Sequence, residues 1–240
     1  MQLLGTWITQ SDISFSENLS DFSFDWLCID MEHSTISHEQ MKNHIISINS
    51  KGKEAFVRVG KNDSLEIKRA LDAGADGIIV PMINSYEEAL LAVDSCFYPP
   101  IGKRGFGLTR ANSFGDKFEN YTKNTSLSVK LIVQIEHKNA IKDLEKILTH
   151  DMIDGSMIGP YDLSGSLNKP GKFNDKEVQH YLNEYLEIAK KFDKKIGYHL
   201  ITNNPKELTT IFEKGYDFVA LNFDIYYLRL AIKNLLKDFS

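Results

Sequence analysis

Two short segments place acidic groups where chemistry could be done: Gln134-Ile135-Glu136 and Gly159-Pro160-Tyr161-Asp162-Leu163-Ser164 each close an apolar run. The run 131–136 is rich in β-branched residues and reads as a strand, in which residues two apart share a face. Gln134 and Glu136 therefore point the same way. The run 153–158 meets Gly159-Pro160, which ends it as a strand and leaves Asp162 on a turn. If the two strands are neighbours, both carboxylates can share one divalent cation. Water and substrate oxygens would complete an octahedron of the kind that Mg²⁺, Mn²⁺ or Co²⁺ accepts. Taken singly, Glu136 also reads as a strand-end surface charge and Asp162 as a turn or helix-capping aspartate.

Other side chains extend this set. His33 closes Cys28-Ile29-Asp30-Met31-Glu32-His33 and has the proton affinity of a general base near neutrality. His199 is the second choice, while His38, His44, His137, His150 and His180 read as lying in helices or loops away from the strand ends. Arg58 ends an apolar strand, where an unpaired guanidinium is costly to bury, so it should meet an anion: a substrate carboxylate, an enolate oxygen, or Asp30 or Glu32. Asp72 falls in the last turn of a helix, where its charge opposes the dipole, so it should have a partner, His33 being a candidate. A Schiff-base lysine would have to stand at the C-terminal end of a strand; Lys130 and Lys195 stand at the other end. The set points to metal-assisted chemistry in which a cation holds a 2-oxo acid through its carboxylate and ketone oxygens and stabilises an enolate.

The elements that must position these groups alternate. Short β-branched runs predict strands near 2–8, 26–31, 55–59, 76–82, 130–136, 153–158, 195–201 and 217–222. Apolar residues at three- and four-residue spacing predict helices over 38–50, 64–73, 85–96, 138–149, 176–192, 205–214 and 225–237. Ser85 with Glu88 has the pattern of a capping box, and Gly74 and Gly215 follow helices as C′ residues. Strict alternation of eight strands with helices in 240 residues suits a (β/α)₈ barrel, which carries its chemistry at the C-terminal ends of its strands. The polar candidates gather there, from at least five strands, whereas a doubly wound sheet concentrates its site at one switch point. One barrel domain over 1–240 is therefore expected, with a long irregular loop at 97–129. Loops of that length are functional or interfacial, and Phe106, Phe114, Phe118 and Tyr121 could cover the barrel mouth or pack on a neighbouring subunit.

Composition narrows the partners. A net charge of −5 without a basic run argues against nucleic acid and anionic membranes and for a small-molecule partner. No apolar stretch approaches the ~18 residues of a membrane span, and no signal-peptide pattern opens the chain, so a cytoplasmic protein is expected. Cys28 and Cys96 form no metal or disulfide spacing and read as packing residues. No GxGxxG or P-loop follows a strand, so no nucleotide cofactor is expected.

The residues also resemble a known family, the HpcH/HpaI class II pyruvate aldolases of the phosphoenolpyruvate/pyruvate barrel superfamily. The resemblance runs over nearly the whole chain. It is carried by Asp25–His33, Val57-Arg58-Val59, Leu71–Ala75, Ile79–Met82, Tyr98–Gly105, Gln134-Ile135-Glu136 and Gly159–Ser164, in the family's order and spacing. It implies a (β/α)₈ barrel assembled as a homo-oligomer (trimer or hexamer) that cleaves a 4-hydroxy-2-oxo acid to pyruvate and an aldehyde. It further implies Glu136 and Asp162 as metal ligands, Arg58 as the group steadying the pyruvate enolate, and His33 as the base paired with Asp72. Gln134 would line the pyruvate site, and Gly159, Pro160 and the N–H groups of Tyr161 and Asp162 would bind substrate. Two alternatives share the same ligands or fold. One is another enolate-forming lyase, acting on a CoA ester or as an oxaloacetate decarboxylase; the other is a non-catalytic 2-oxo acid binding protein. A CoA enzyme should show basic residues near the rim, for which Lys103, Arg104 and Arg110 are the candidates.

Overall fold

The computed structural model describes residues 2–237; residues 1 and 238–240 of the expected 1–240 domain lie outside the described residues. The chain runs β1 (Leu3–Ile8), α1 (Ile13–Ser20), β2 (Trp26–Asp30), α2 (His38–Ser50), β3 (Glu54–Arg58), α3 (Ser64–Asp72), β4 (Gly77–Val80) and α4 (Tyr86–Cys96). It continues through α5 (Phe118–Lys123), β5 (Lys130–Ile135), α6 (Lys138–Leu148), β6 (Gly155–Ile158), α7 (Pro160–Ser166), α8 (Lys176–Ala189), β7 (Lys195–Leu200), α9 (Pro205–Lys214), β8 (Phe218–Phe223) and α10 (Asp224–Leu236). The strands pair in parallel in chain order and close into a barrel. Each expected strand and helix is present, with ends shifted by a few residues.

Nearly every strand is buried on both faces, which is why these segments read as apolar runs rather than alternating ones. Outward side chains such as Leu27, Ile29, Val57, Ile78, Val133 and Ile158 pack under the helices, and inward ones fill the barrel. The register slopes: Trp7 pairs with Cys28, Cys28 with Phe56, Phe56 with Gly77 and Gly77 with Lys130. Residues at one height therefore come from alternate strands, as barrel layers do. The lowest buried layer is Trp26, Gly77, Gly155 and Phe218; above it lie Gly5, Phe56, Ile132 and Gly197, then Cys28, Ile79, Met157 and Ala220. The glycines make room for rings, since a Cβ on Gly5, Gly77 or Gly197 would stand 2.1–2.2 Å from Trp26, Phe56 or Phe218. The next layer, from strands β1, β3, β5 and β7, is Trp7, Arg58, Gln134 and His199. There the interior turns polar.

Local signals explain the helix starts. Asp12, Ser37, Asp63, Ser85, Asp175 and Asn204 each accept a first-turn N–H. A full capping box joins Ser37 and Gln40 at the start of α2. At Ser85 only half of the expected box forms, because the Glu88 carboxylate accepts from Asn84 N at 2.6 Å instead of reaching back to Ser85. Gly215 closes α9 with φ 103°, and Gly74 follows α3 with φ 94°.

Two readings need correction. Asp162 lies in the first turn of α7, not on an irregular turn, because Gly159 serves as N-cap and Pro160 as N1, a position whose missing N–H costs nothing. Segment 97–129 is not wholly irregular, since it contains α5 and two short 3₁₀ stretches. It leaves the end of α4 and returns to the start of β5, so it lies toward the N-terminal end of the barrel and does not cover the strand C-termini of its own chain. Tyr98 stacks on Phe106 at 4.6 Å, Phe106 meets Phe118 at 5.9 Å, and Arg110 donates to Ala73 O at 2.8 Å, at the end of α3.

Candidate active site

The parallel barrel brings all strand C-termini to one rim, and β5 and β6 are neighbours there. Gln134 points inward, and its Nε2 donates to Glu136 Oε1 at 2.9 Å. The other Glu136 oxygen accepts from Met82 N at 2.9 Å, from the connection after β4. Burial pushes the Glu136 carboxyl up to about 8 against the Met82 N–H, and the neighbouring Asp162 and Glu32 carboxylates push the same way. Asp162 is exposed at the mouth. First-turn N–H groups such as those of Tyr161 and Asp162 have no acceptor within their own helix.

Beside this pair Arg58 is buried and doubly engaged. Nε and Nη2 donate to the two Asp30 oxygens at 3.0 and 2.6 Å, Nη1 lies 3.3 Å from Glu32, and the guanidinium covers the Trp7 ring at 4.4 Å. Burial opposes ionisation of Asp30, but the Arg58 hydrogen bonds and charge prevail and hold it below its ordinary value. Burial raises Glu32, with Arg58 and His33 opposing and Asp30 and Asp162 adding repulsion. Both of the protein carboxylates considered for Arg58, Asp30 and Glu32, are thus its partners.

His33 is exposed at the mouth, and Glu32 Oε2 lies 3.6 Å from its Nε2. It is not paired with Asp72 in this chain. Helix α3 starts at the rim and runs back, so its last turn lies toward the opposite end of the barrel. There Asp72 accepts from Arg104 Nη2 at 2.7 Å. The second-choice base, His199, is held well below neutrality at about 3, by burial first and then by the Arg58 charge. It cannot carry a proton near pH 7. His137, expected away from the rim, follows Glu136 there and caps α6 by accepting from Asn139 N at 3.1 Å.

Among the described residues no group of three or more His, Cys, Asp or Glu side chains is arranged to hold a metal ion. The candidate donor set is the carboxylate pair Glu136 and Asp162. Its chemistry fits a hard divalent cation: Glu136 is sealed from solvent beside two further carboxylates that repel its charge, and Gln134 Oε1 is buried without a partner. Cys28 and Cys96 are buried elsewhere, and burial raises both thiols.

The comparisons agree with the geometry. A model of the HpcH/HpaI aldolase/citrate lyase family matches residues 3–231. The chain belongs to that family. It is 32% identical over 234 residues to the 2-dehydro-3,6-dideoxy-6-sulfogluconate aldolase of Pseudomonas putida, covering 97% of this chain and 91% of the relative. It is 33% identical to the hydroxypyruvate/pyruvate aldolase of Roseobacter denitrificans, over 93% of this chain and 87% of the relative. An HpcH/HpaI aldolase/citrate lyase family protein of Burkholderia cenocepacia superposes with a TM-score of 0.93 at 28% identity, over 99% of this chain and 94% of that one. Sequence and fold thus agree on the HpcH/HpaI family across the barrel.

Within the family's two namesake chemistries, the basic residues considered for a CoA ester are poorly placed. Lys103 pairs with Asp94, late in α4, at 2.6 Å, Arg104 is buried against Tyr98 and Asp72, and Arg110 binds the end of α3. All three lie away from the rim. Sequence reasoning missed Trp7 and the proximity of Gly159 to Glu136. Trp7 could have been found from parity, since it lies two residues beyond Gly5 on an inward face.

Proposed function

We propose that this protein is a divalent-metal-dependent class II aldolase that reversibly cleaves a 4-hydroxy-2-oxo acid to pyruvate and an aldehyde. The observation that carries the reading is the rim itself: a buried carboxylate held at elevated pKa beside Asp162 and Glu32, with an arginine alongside. Glu136 and Asp162 would hold the cation, which as a Lewis acid would supply charge stabilisation at the ketone oxygen.

The chain's own residues do the rest. Arg58, fixed by Asp30 and by the Trp7 face, presents its positive charge to the developing enolate oxygen. Unpaired N–H groups of Tyr161 and Asp162, with Gly159 and Pro160 shaping the turn, receive the substrate carboxylate. His33, directly or through a water, accepts the proton of the C4 hydroxyl as the C3–C4 bond breaks. The bonding pair stays on C3 as enolate, the aldehyde leaves, and protonation at C3 gives pyruvate. Glu32, whose Oε2 lies 3.6 Å from Nε2 of His33, offers the base a carboxylate within the chain.

A homo-oligomer (trimer or hexamer) belongs to this reading and is supported by exposed apolar side chains, Phe114 at 74% and Leu235 at 75%; light scattering tests it. The chemistry is tested by incubating the protein with pyruvate in D₂O, with Mn²⁺ or with chelator, and following the methyl signal by proton NMR. Metal-dependent exchange that is lost in Glu136→Ala and Asp162→Ala is expected. Full exchange in the chelated protein or in either variant would sink the metal assignment, and no exchange in the metal-loaded protein would favour a CoA ester substrate or a binding protein.

A further inference from the structure

The barrel has a second mouth, at the N-terminal ends of the strands, that the proposed chemistry does not use. Leu3, Glu54, Lys130 and Lys195 stand two residues before Gly5, Phe56, Ile132 and Gly197 and so share their inward face. They ring the entrance of a cavity of about 610 Å³, within the size range of small-molecule sites. Its floor is aromatic: Trp26 meets Phe56 at 5.4 Å and Phe218 at 6.0 Å, with Ile79 behind them. Cys28, Met157 and Ala220, all fully buried, complete the layer of Ile79 and close this cavity off from Arg58 and Gln134.

The charges at the entrance are unevenly matched. Asp25, Asp76, Asp154 and Asp217 tie the strand starts together, accepting from Leu4, Ala55, Leu131 and Ile196 N at 2.8–2.9 Å, which is the stabilising work expected at this end of a barrel. That tie commits one oxygen of Asp154 and one of Asp217. The other oxygens lie 3.3 Å from Lys130 and 3.7 Å from Lys195, and these lysine side chains remain 48% and 54% exposed. Lys190 donates to Lys214 O at 2.6 Å, and Lys194 to His150 O and Asp151 O at 3.1 Å; main-chain carbonyls satisfy these donors without cancelling their charge. Across the entrance, on β3, the Glu54 carboxyl is raised by burial first and then by the Asp76 charge, against Lys130. Its charge is therefore the easier one to give up. Asp193 is exposed on the connection before β7.

We infer that this cavity is a binding site for an amphipathic small anion, an aromatic carboxylate or sulfonate whose rings lie on Trp26, Phe56 and Phe218 and whose charge is held between Lys130 and Lys195. An uncharged apolar molecule would use the floor and leave both ammoniums unengaged. A cation would meet four lysines at the entrance, and a purely polar anion such as phosphate would leave the rings in water. The site stands at the opposite end of the barrel from Glu136 and Asp162 and does not rest on the aldolase reading.

The test titrates the protein with 8-anilinonaphthalene-1-sulfonate and with N-phenyl-1-naphthylamine, which has the same rings without the sulfonate, and follows the fluorescence of each. The wild type is expected to bind one equivalent of the anion saturably and about tenfold more tightly than the neutral compound. In the double variant Lys130→Met/Lys195→Met that preference should shrink to about twofold or less, with the affinity for the neutral compound unchanged. Glu54→Gln should act in the opposite direction and tighten the anion by about threefold, which provides a second reading if the double variant does not fold; circular dichroism checks each variant. Phe114→Ser, which removes an exposed ring on another face, should alter neither affinity. Equal affinities for the two compounds in the wild type, or no saturable binding, would overturn the inference. An anion affinity that the folded lysine and Glu54 variants leave unchanged, or that Phe114→Ser abolishes, would overturn it too and assign the compound to the outer surface.

Discussion

Gly159 and Glu136 approach each other at a distance that only glycine permits: a Cβ at position 159 would stand 2.9 Å from Cγ and 3.0 Å from Oε1 of Glu136. The strand β6 exit thus presses on the carboxylate that Gln134 and Met82 hold from the other sides. Gly159→Ala must push Glu136 off its hydrogen bonds or shift the start of α7, which carries Asp162. Either movement displaces one candidate ligand relative to the other. Misplacement of about 1 Å costs on the order of a hundredfold in rate, so pyruvate exchange should fall by about that factor. Wild-type exchange kinetics in Gly159→Ala would separate Glu136 from the chemistry.

The elevated Glu136 carboxyl makes both stability and metal affinity depend on pH. Its ordinary value is 4.5 and the folded protein raises it to about 8, so the folded state binds the proton more tightly than the unfolded one. The metal-free protein therefore has this group's full stabilisation below about pH 4.5 and loses it as pH rises to about 8. Metal binding requires the carboxylate, so Mn²⁺ affinity should strengthen about tenfold per pH unit as pH rises toward 8. Melting curves across this range, with and without Mn²⁺, check the sign. A metal-free protein whose melting temperature does not fall relative to Glu136→Gln over this window would contradict it.

Much of this arrangement was legible in the sequence, for physical reasons. Strands buried on both faces leave continuous β-branched runs, and the acidic groups at the ends of β5 and β6 had to share a rim once the sheet was parallel. Helix α1 was illegible because its inner face includes Ser16 and Ser20, with the Ser16 hydroxyl meeting buried His44 at 2.9 Å. Helix α7 was missed because Gly159-Pro160 reads as a stop, although proline at N1 starts a helix just as well. The pairing of Asp72 with His33 is not made within the chain: helical spacing says that the aspartate lies in a last turn, and only the closed barrel shows that this turn lies away from the chain's own His33. The layer of Trp7, Arg58, Gln134 and His199 depends on register between distant strands, which parity within one strand cannot supply.

Arg58 and Asp30 form the buried pair beneath the site, their side chains 6% and 3% exposed. Removing one partner strands the other charge, which costs about 3–5 kcal/mol. Asp30→Ala should therefore lower unfolding free energy by about that amount in urea titrations. Arg58→Lys keeps the charge but loses the two-pronged grip on Asp30 and the flat contact with Trp7. Its larger effect should fall on exchange kinetics, with kcat lowered about a hundredfold or more. Equal kinetics in Arg58→Lys would show that the guanidinium serves only the fold.

His33 and Asp72 should separate cleanly when each is removed. His33 is exposed, so His33→Ala leaves the melting temperature near wild type and slows aldol cleavage and enolate exchange by about 10²- to 10⁴-fold, the usual worth of a general base. Asp72 accepts from Arg104, whose side chain is fully buried between Tyr98 and Tyr121. Asp72→Ala leaves that guanidinium without its carboxylate, so it should destabilise the fold by about 3–5 kcal/mol. The contrast is read by measuring both quantities on both variants. If Asp72→Ala keeps wild-type stability while losing activity as His33→Ala does, Asp72 serves the base, and the Arg104 contact is incidental.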